Sequence, residues 1–228
     1  MKKHIDVLII VLIFTSIAIG VFSNIKQEKA VDKSKLPTDV ENDRMFQRWI
    51  TNLKNKGLNI EADEFKLKES NEIYNTTWMT VSSIDELGKK EEFESVINAH
   101  KDIKKVAFSP SEKIFVDYRN IDREDILSNQ VRLYGLKEDK IIDARILDCS
   151  VRANCYFDRA YFIDNDVFVI SEFSRNISKK DSITPICSKD QLCTYTVKVH
   201  VIDLMHNVRD EYESNPFDII LNEWINFF

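Results

Sequence analysis

From residue 106 onward the chain repeats one kind of unit: a short run of β-branched and aromatic residues, then a few polar, turn-forming ones. The runs are 106–108, 113–118, 131–136, 141–147, 156–163, 167–173, 194–204 and 208–212. Runs of this length and composition, bounded by turn residues, predict strands. Asp164-Asn165-Asp166 predicts a tight hairpin between two of them, because Asp and Asn side chains bond their own backbone in turns. Consecutive strands joined this closely pair as neighbours, so the expectation is an antiparallel meander. A long polar loop, 174–190, interrupts it. Gly and Pro number only four each, which leaves no supply for glycine-rich phosphate loops or proline-rich linkers.

One stretch carries a resemblance. Ala99-His100 is followed by Val106-Ala107-Phe108-Ser109-Pro110, then Ile114-Phe115-Val116, then Val131-Arg132-Leu133-Tyr134-Gly135-Leu136. Residues 99–136 resemble a blade of the WD40-type β-propeller, with its Gly-His pair, Phe-Ser-Pro turn and closing Val-Arg-Leu-Trp-Asp-Leu strand. Ala99 stands where the family has glycine, and Tyr134-Gly135 where it has Trp-Asp. A fainter echo runs through 162–169 and 199–204. The resemblance implies a local four-stranded meander and an interaction scaffold. It implies no binding site, since closed propellers need at least four blades and this length holds two or three.

The N-terminus predicts a membrane segment. Lys2 and Lys3 precede an uncharged apolar run from Val7 to Phe22. As a helix it spans roughly 24–27 Å, marginal for a bilayer core of about 30 Å. A retained signal anchor and a signal peptide cut after Ser23 are the two readings. No cysteine lies near the cut, which argues against a lipoprotein anchor. Orientation draws opposite signals. Lys26, Lys29, Lys33 and Lys35 follow the run and compete with Lys2 and Lys3 under the positive-inside rule.

The cysteines favour the outside. They form two matching pairs, Cys149 with Cys155 and Cys187 with Cys193, each with five residues between. Paired zinc ligands prefer two to four intervening residues, so one tight turn aims both at a single ion. A gap of five suits a disulfide closing a loop between adjacent strands. Disulfides persist in oxidising compartments. Four buried thiols are the alternative.

Helices flank the strand-rich part. Val40, Met45, Phe46, Trp49, Ile50 and Leu53 recur at spacings of three and four, capped by Thr38 or Asp39 and closed by Gly57. Two strands are expected between 60 and 83, and a second helix over 84–100. The end, 214–228, predicts an amphipathic helix. It is capped by Ser214 or Asn215, with Phe217, Ile220, Leu221, Trp224, Ile225 and Phe228 on one stripe. Docking on the sheet and binding a partner through Phe217, Trp224 and Phe228 are its two readings.

Chemistry is weakly represented. GxSxG, HExxH and GxGxxG are absent. His200 and His206 are six apart across a strand and turn, a weak case for a shared role. Asp164 to Asp166 lack the EF-hand spacing. A net charge of −6 with no basic stripe argues against nucleic acid. Two sequons, at Asn75 and Asn176, matter only in a glycosylating host.

The expected fold is α+β, mainly β. It is an antiparallel β-meander, propeller-blade-like or a sandwich, with N-terminal and C-terminal amphipathic helices and one N-terminal transmembrane or signal helix. The expected parts are 1–23 (signal segment), 24–37 (tether), 38–100 (helix and strand preface), 101–213 (β-rich meander) and 214–228 (C-terminal helix). No cofactor or metal is expected. The expected function is a membrane-anchored, extracytoplasmic module binding a protein or envelope component without catalysis, or secreted if cleaved. The alternatives are an envelope hydrolase with a dispersed site, and a disulfide-stapled inhibitor of an extracellular enzyme.

Overall fold

The computed structural model describes residues 32–73, 78–123, 126–149, 154–175 and 187–224. The membrane segment from Val7 to Phe22, both sequons, most of the 174–190 loop, and Phe228 lie outside them. Among the described residues no helix is long and apolar enough to cross a membrane. Residues 35–228 form one compact unit.

The protein is mainly β; its described residues form twelve strands in two antiparallel six-stranded sheets. The strands are β1 (Lys66–Glu72), β2 (Met79–Ser83), β3 (Val106–Phe108), β4 (Ile114–Asp117), β5 (Asn120–Arg123), β6 (Ile126–Lys137), β7 (Lys140–Asp148), β8 (Cys155–Phe162), β9 (Val167–Ser174), β10 (Leu192–Asp203), β11 (Val208–Glu213) and β12 (Phe217–Ile220). The first sheet runs β1-β11-β10-β9-β8, with β12 also on β10. The second runs β2-β7-β6-β4-β3, with β5 also on β6. Each is a meander of successive strands, extended at one edge by a strand from the preface.

Period-two alternation divides the side chains between faces. Ile114 and Val116 of β4 and Leu133 of β6 join Phe157, Phe168, Ile170 and Ile202 of the first sheet in one buried cluster. The sheets therefore pack face to face. On the outer face of the first sheet, Tyr195, Val197, Val199 and Val201 of β10 meet Phe46, Trp49, Ile50 and Leu53 of a helix, α2 (Arg44–Asn55). On the outer face of the second, Phe115 and Ile141 meet Phe93 and Ile97 of α3 (Lys89–His100).

The first predicted helix is broken in two. A single turn, α1 (Thr38–Glu41), stops at Asn42, and Asp43 starts α2 afresh. Its carboxylate accepts the Met45 and Phe46 N–H groups at 2.7 and 3.1 Å, the bonding an N-cap supplies. Gly57, at φ 96°, ends the segment as expected. The helix predicted over 84–100 begins late, at Lys89. The Glu86 carboxylate accepts the Ser83 N–H at 2.9 Å, so it closes a turn at the end of β2 instead of serving the helix.

Among the described residues the C-terminal amphipathic helix is not formed. Phe217–Ile220 is strand β12, and Leu221–Glu223 is a single 3-10 turn. The cause is the length of β10, twelve residues against six in β11. Beyond β11, Leu192 to Tyr195 still offer backbone groups, and β12 pairs with them antiparallel. Ser214 sets the corner: its hydroxyl accepts the Val197 N–H at 3.0 Å. Phe217 then sits edge-on to Phe173, with centroids 6.4 Å apart, and Trp224 packs against the same core. Two of the three residues expected to offer a partner surface are thus used within the chain.

Gly135 faces Ile114 across β4 and β6. A Cβ there would come within 2.7 Å of the Ile114 Cα, a backbone atom. Gly135→Ala is expected to lower stability by about 1–3 kcal/mol through overpacking, read as a reduced urea midpoint.

Candidate functional site

The inward face of the first sheet is not wholly apolar. Lys198 and His200 of β10 share the face of Ile202, and Glu172 of β9 and Glu211 of β11 flank them. His200 Nε2 donates to Glu172 at 2.9 Å, and its Nδ1 lies 3.7 Å from Glu211. Lys198 donates to the other Glu211 oxygen at 2.6 Å. Both close contacts run diagonally across the strands. Lys198 stands opposite Glu172, and His200 opposite Glu211, yet each reaches the carboxylate opposite the other. Buried charges survive only with such partners.

A histidine with two carboxylates is the set of groups a hydrolase would use as acid and base. Here His200 is 1% exposed and Glu172 is 0% exposed. Phe157 lies edge-on to the imidazole at 6.4 Å. In this arrangement the groups pair with one another inside the protein. His206 does not join them. It is exposed on the turn after β10, bonded to Asp203 at 2.6 Å. That contact and the His206 and Met205 N–H groups hold the Asp203 carboxyl below its usual range, against a partial burial that pushes it up.

Both cysteine pairs are bonded as the spacing predicted, Cys149 to Cys155 and Cys187 to Cys193. The Glu172 carboxylate lies within 4.8 Å of the Cys149 and Cys155 sulfurs, but joined sulfurs are not the thiolates a metal needs. The two loops are tied together. Buried Asn154 donates to the Cys187 carbonyl at 2.7 Å and accepts the Cys187 N–H at 2.8 Å. The Asp164 side chain accepts the Asp166 and Val167 N–H groups, each at 2.7 Å, as a plain turn does. His100 Nδ1 donates to the Val96 carbonyl at 2.8 Å, and the ring stacks on Phe115 at 4.5 Å.

A second polar cluster lies beneath α2. A bulge in β8 turns Asp158 out of the ladder, where Trp49 Nε1 donates to it at 3.0 Å. Burial raises the Asp158 carboxyl above its ordinary range, outweighing Trp49, Arg159, Lys105 and Lys56, which pull it down. Burial also lowers Lys105, with Asp158 opposing.

The sequence did not disclose an exposed apolar stretch beside β2. Among the described residues six large apolar side chains are exposed, and four of them, Trp78, Met79, Val81 and Leu87, fall within ten residues. They lie on β2 and to either side of it, and its one neighbour among the described strands is β7. The Trp78 carbonyl accepts the Arg145 N–H at 3.3 Å, and the Ile84 N–H reaches the Asp139 carbonyl at 3.0 Å. Backbone groups alternate in direction along an antiparallel strand, so those of Met79, Val81 and Ser83 face away from β7. Ser83 is closed off by Glu86, through its N–H at 2.9 Å and its carbonyl at 3.3 Å. Among the described residues Met79 and Val81 are left as the open edge. Residues 78–84 carry no charge, and charge is the usual protection of such an edge. Trp78 lies over the Arg132 guanidinium at 4.8 Å, which is itself paired to Asp143 at 3.1 Å. A strand in the stretch leading up to Ser83 was legible; that it would lie at an edge was not.

Two outcomes test these clusters. His200→Leu is expected to cost about 3–5 kcal/mol, as breaking a buried pair does, read by urea unfolding with the disulfides intact. Asp158 binds its proton more tightly folded than unfolded. Its protonation therefore favours the fold at acid pH, and that stabilisation is lost as pH rises through the folded value. The stability of Asp158→Asn relative to wild type should accordingly fall as the pH of thermal melts is lowered from 7 towards 4. Comparison with family models, with curated proteins and with solved structures finds no match to this chain.

Proposed function

We propose that the protein is a membrane-anchored, extracytoplasmic β module that binds a protein or envelope component without catalysis. The open, uncharged edge at Met79 and Val81 carries this reading. A strand with free backbone groups accepts an extended segment by strand addition, with side-chain contacts supplying selectivity. The two disulfides support an oxidising compartment. The apolar run from Val7 to Phe22 supplies the anchor. The blade-like meander of β3, β4, β6 and β7 accords with a scaffold of the propeller kind opened into a two-sheet sandwich.

The hydrolase alternative has its groups assembled at His200, Glu172 and Glu211, but they face the interior. The inhibitor alternative rests on the 174–190 loop, most of which lies outside the described residues.

Crosslinking in intact membranes, followed by capture of the full chain, tests the reading. Val81→Lys is expected to lose at least tenfold of the crosslinked material that wild type retains. Leu192→Lys, at an exposed apolar position on another strand, should retain it. Equal recovery from wild type and Val81→Lys overturns the assignment of the edge.

A further inference from the structure

We infer that the occupant of the β2 edge is a second copy of this chain, paired antiparallel about a two-fold axis at Thr80. The inference rests on the proposed binding role of that edge and names its partner.

The first argument is symmetry. The outward-facing residues are Met79 and Val81, and Thr80 lies midway between them. An antiparallel copy rotated about Thr80 sets Met79 opposite Val81 of the second copy, and Val81 opposite its Met79. Both members of each pair point their N–H and C=O groups across the junction, the condition for a hydrogen-bonded antiparallel pair. Four backbone hydrogen bonds form and every free group of the edge is used. Ser83, already closed by Glu86, marks where the pairing stops.

The second argument is charge. Residues 78–84 contain no Asp, Glu, Lys or Arg. Like charges directly opposite one another destabilise a strand pair, and a charged edge meeting its own copy would bring them together. This edge brings none. It also offers no charge with which to select a charged partner strand.

The third argument is apolar area. Met79 and Val81 share one face of β2, since they are two residues apart, while Trp78 and Thr80 share the other. Pairing about Thr80 brings Met79 and Val81 of both copies into one cluster on the first face. On the second, it brings Trp78 next to Ser82 of the second copy. Three of the exposed apolar residues, Trp78, Met79 and Val81, are thus drawn into the junction. The result is a second sheet continuous across two protomers. If the N-terminal run holds both copies in one membrane, confinement raises their effective concentration further.

A single cysteine reads the register. Thr80 meets its own copy at a non-hydrogen-bonded pair, where Cα atoms stand about 4.5 Å apart. That separation lies within the span of a disulfide. Ser82 would stand roughly 13 Å from its own copy, too far to bridge, since it is two residues from the axis on each strand. Full-length Thr80→Cys and Ser82→Cys are oxidised in detergent and run on non-reducing gels. Intact mass confirms that the native disulfides persist. Thr80→Cys is expected to give a covalent dimer of twice 26.7 kDa, at least tenfold more than Ser82→Cys, and adding Val81→Lys should abolish it. No dimer from Thr80→Cys, or equal dimer from both positions, overturns the inference. If the membrane crosslinks of wild type nonetheless depend on Val81, the binding edge stands and its partner is another chain. If they do not, the proposed function falls as well.

Discussion

Backbone pairing along β10 organises the molecule. This strand is bonded to β9 on one side and to β11 and β12 in succession on the other. Its outward residues Tyr195, Val197, Val199 and Val201 form the floor on which α2 lies. Its inward residues are Lys198, His200 and Ile202. One strand therefore supplies the floor for a helix, the centre of a polar network and the template for the C-terminus. Burial explains why it reaches so far. Peptide groups removed from water must bond one another, and a long central strand draws in whatever chain can satisfy it.

The polar network carries a cost as well as a benefit. Lys198, Glu211, His200 and Glu172 would each be unfavourable alone between two sheets. Joined in a chain of contacts at 2.6, 3.7 and 2.9 Å, they compensate one another. Such a set favours one register of β9, β10 and β11, because a slip of one residue would send every member to the other face. The Cys149–Cys155 disulfide lies against the same Glu172, and Asn154 ties that loop to the Cys187–Cys193 loop. The covalent and polar restraints thus converge at the end of the first sheet where β8, β9 and β10 are joined.

Much of the fold was readable locally. The three-and-four spacing of Phe46, Trp49, Ile50 and Leu53 gave α2, and β-rich runs bounded by turn residues gave the strands of the meander. The five-residue gaps gave both disulfides. Local patterns failed where a neighbour competed for the backbone. The stripe of Phe217, Ile220, Leu221 and Trp224 is a fair helix on its own, but β10 had open groups and took the segment as a strand. Asp85 and Glu86 look like first-turn acids, yet Glu86 finds the Ser83 N–H closer. The even spacing of Lys198, His200 and Ile202 puts them on one face of a strand. Nothing local named Glu172 and Glu211, twenty-six residues before Lys198 and eleven after His200, as their partners.

The sequence by itself determined the class of the protein: β-rich, stapled by two short disulfide loops, and preceded by an apolar N-terminal run. Those features depend on residue type and on spacings of a few positions, which short-range sterics and covalent reach decide. Only the tertiary structure decided which strand lies at an edge and which is enclosed. β2 and β10 are both rich in β-formers. One is left open at Met79 and Val81 and the other is paired on both sides, because edge or centre depends on which distant strands compete for its hydrogen bonds.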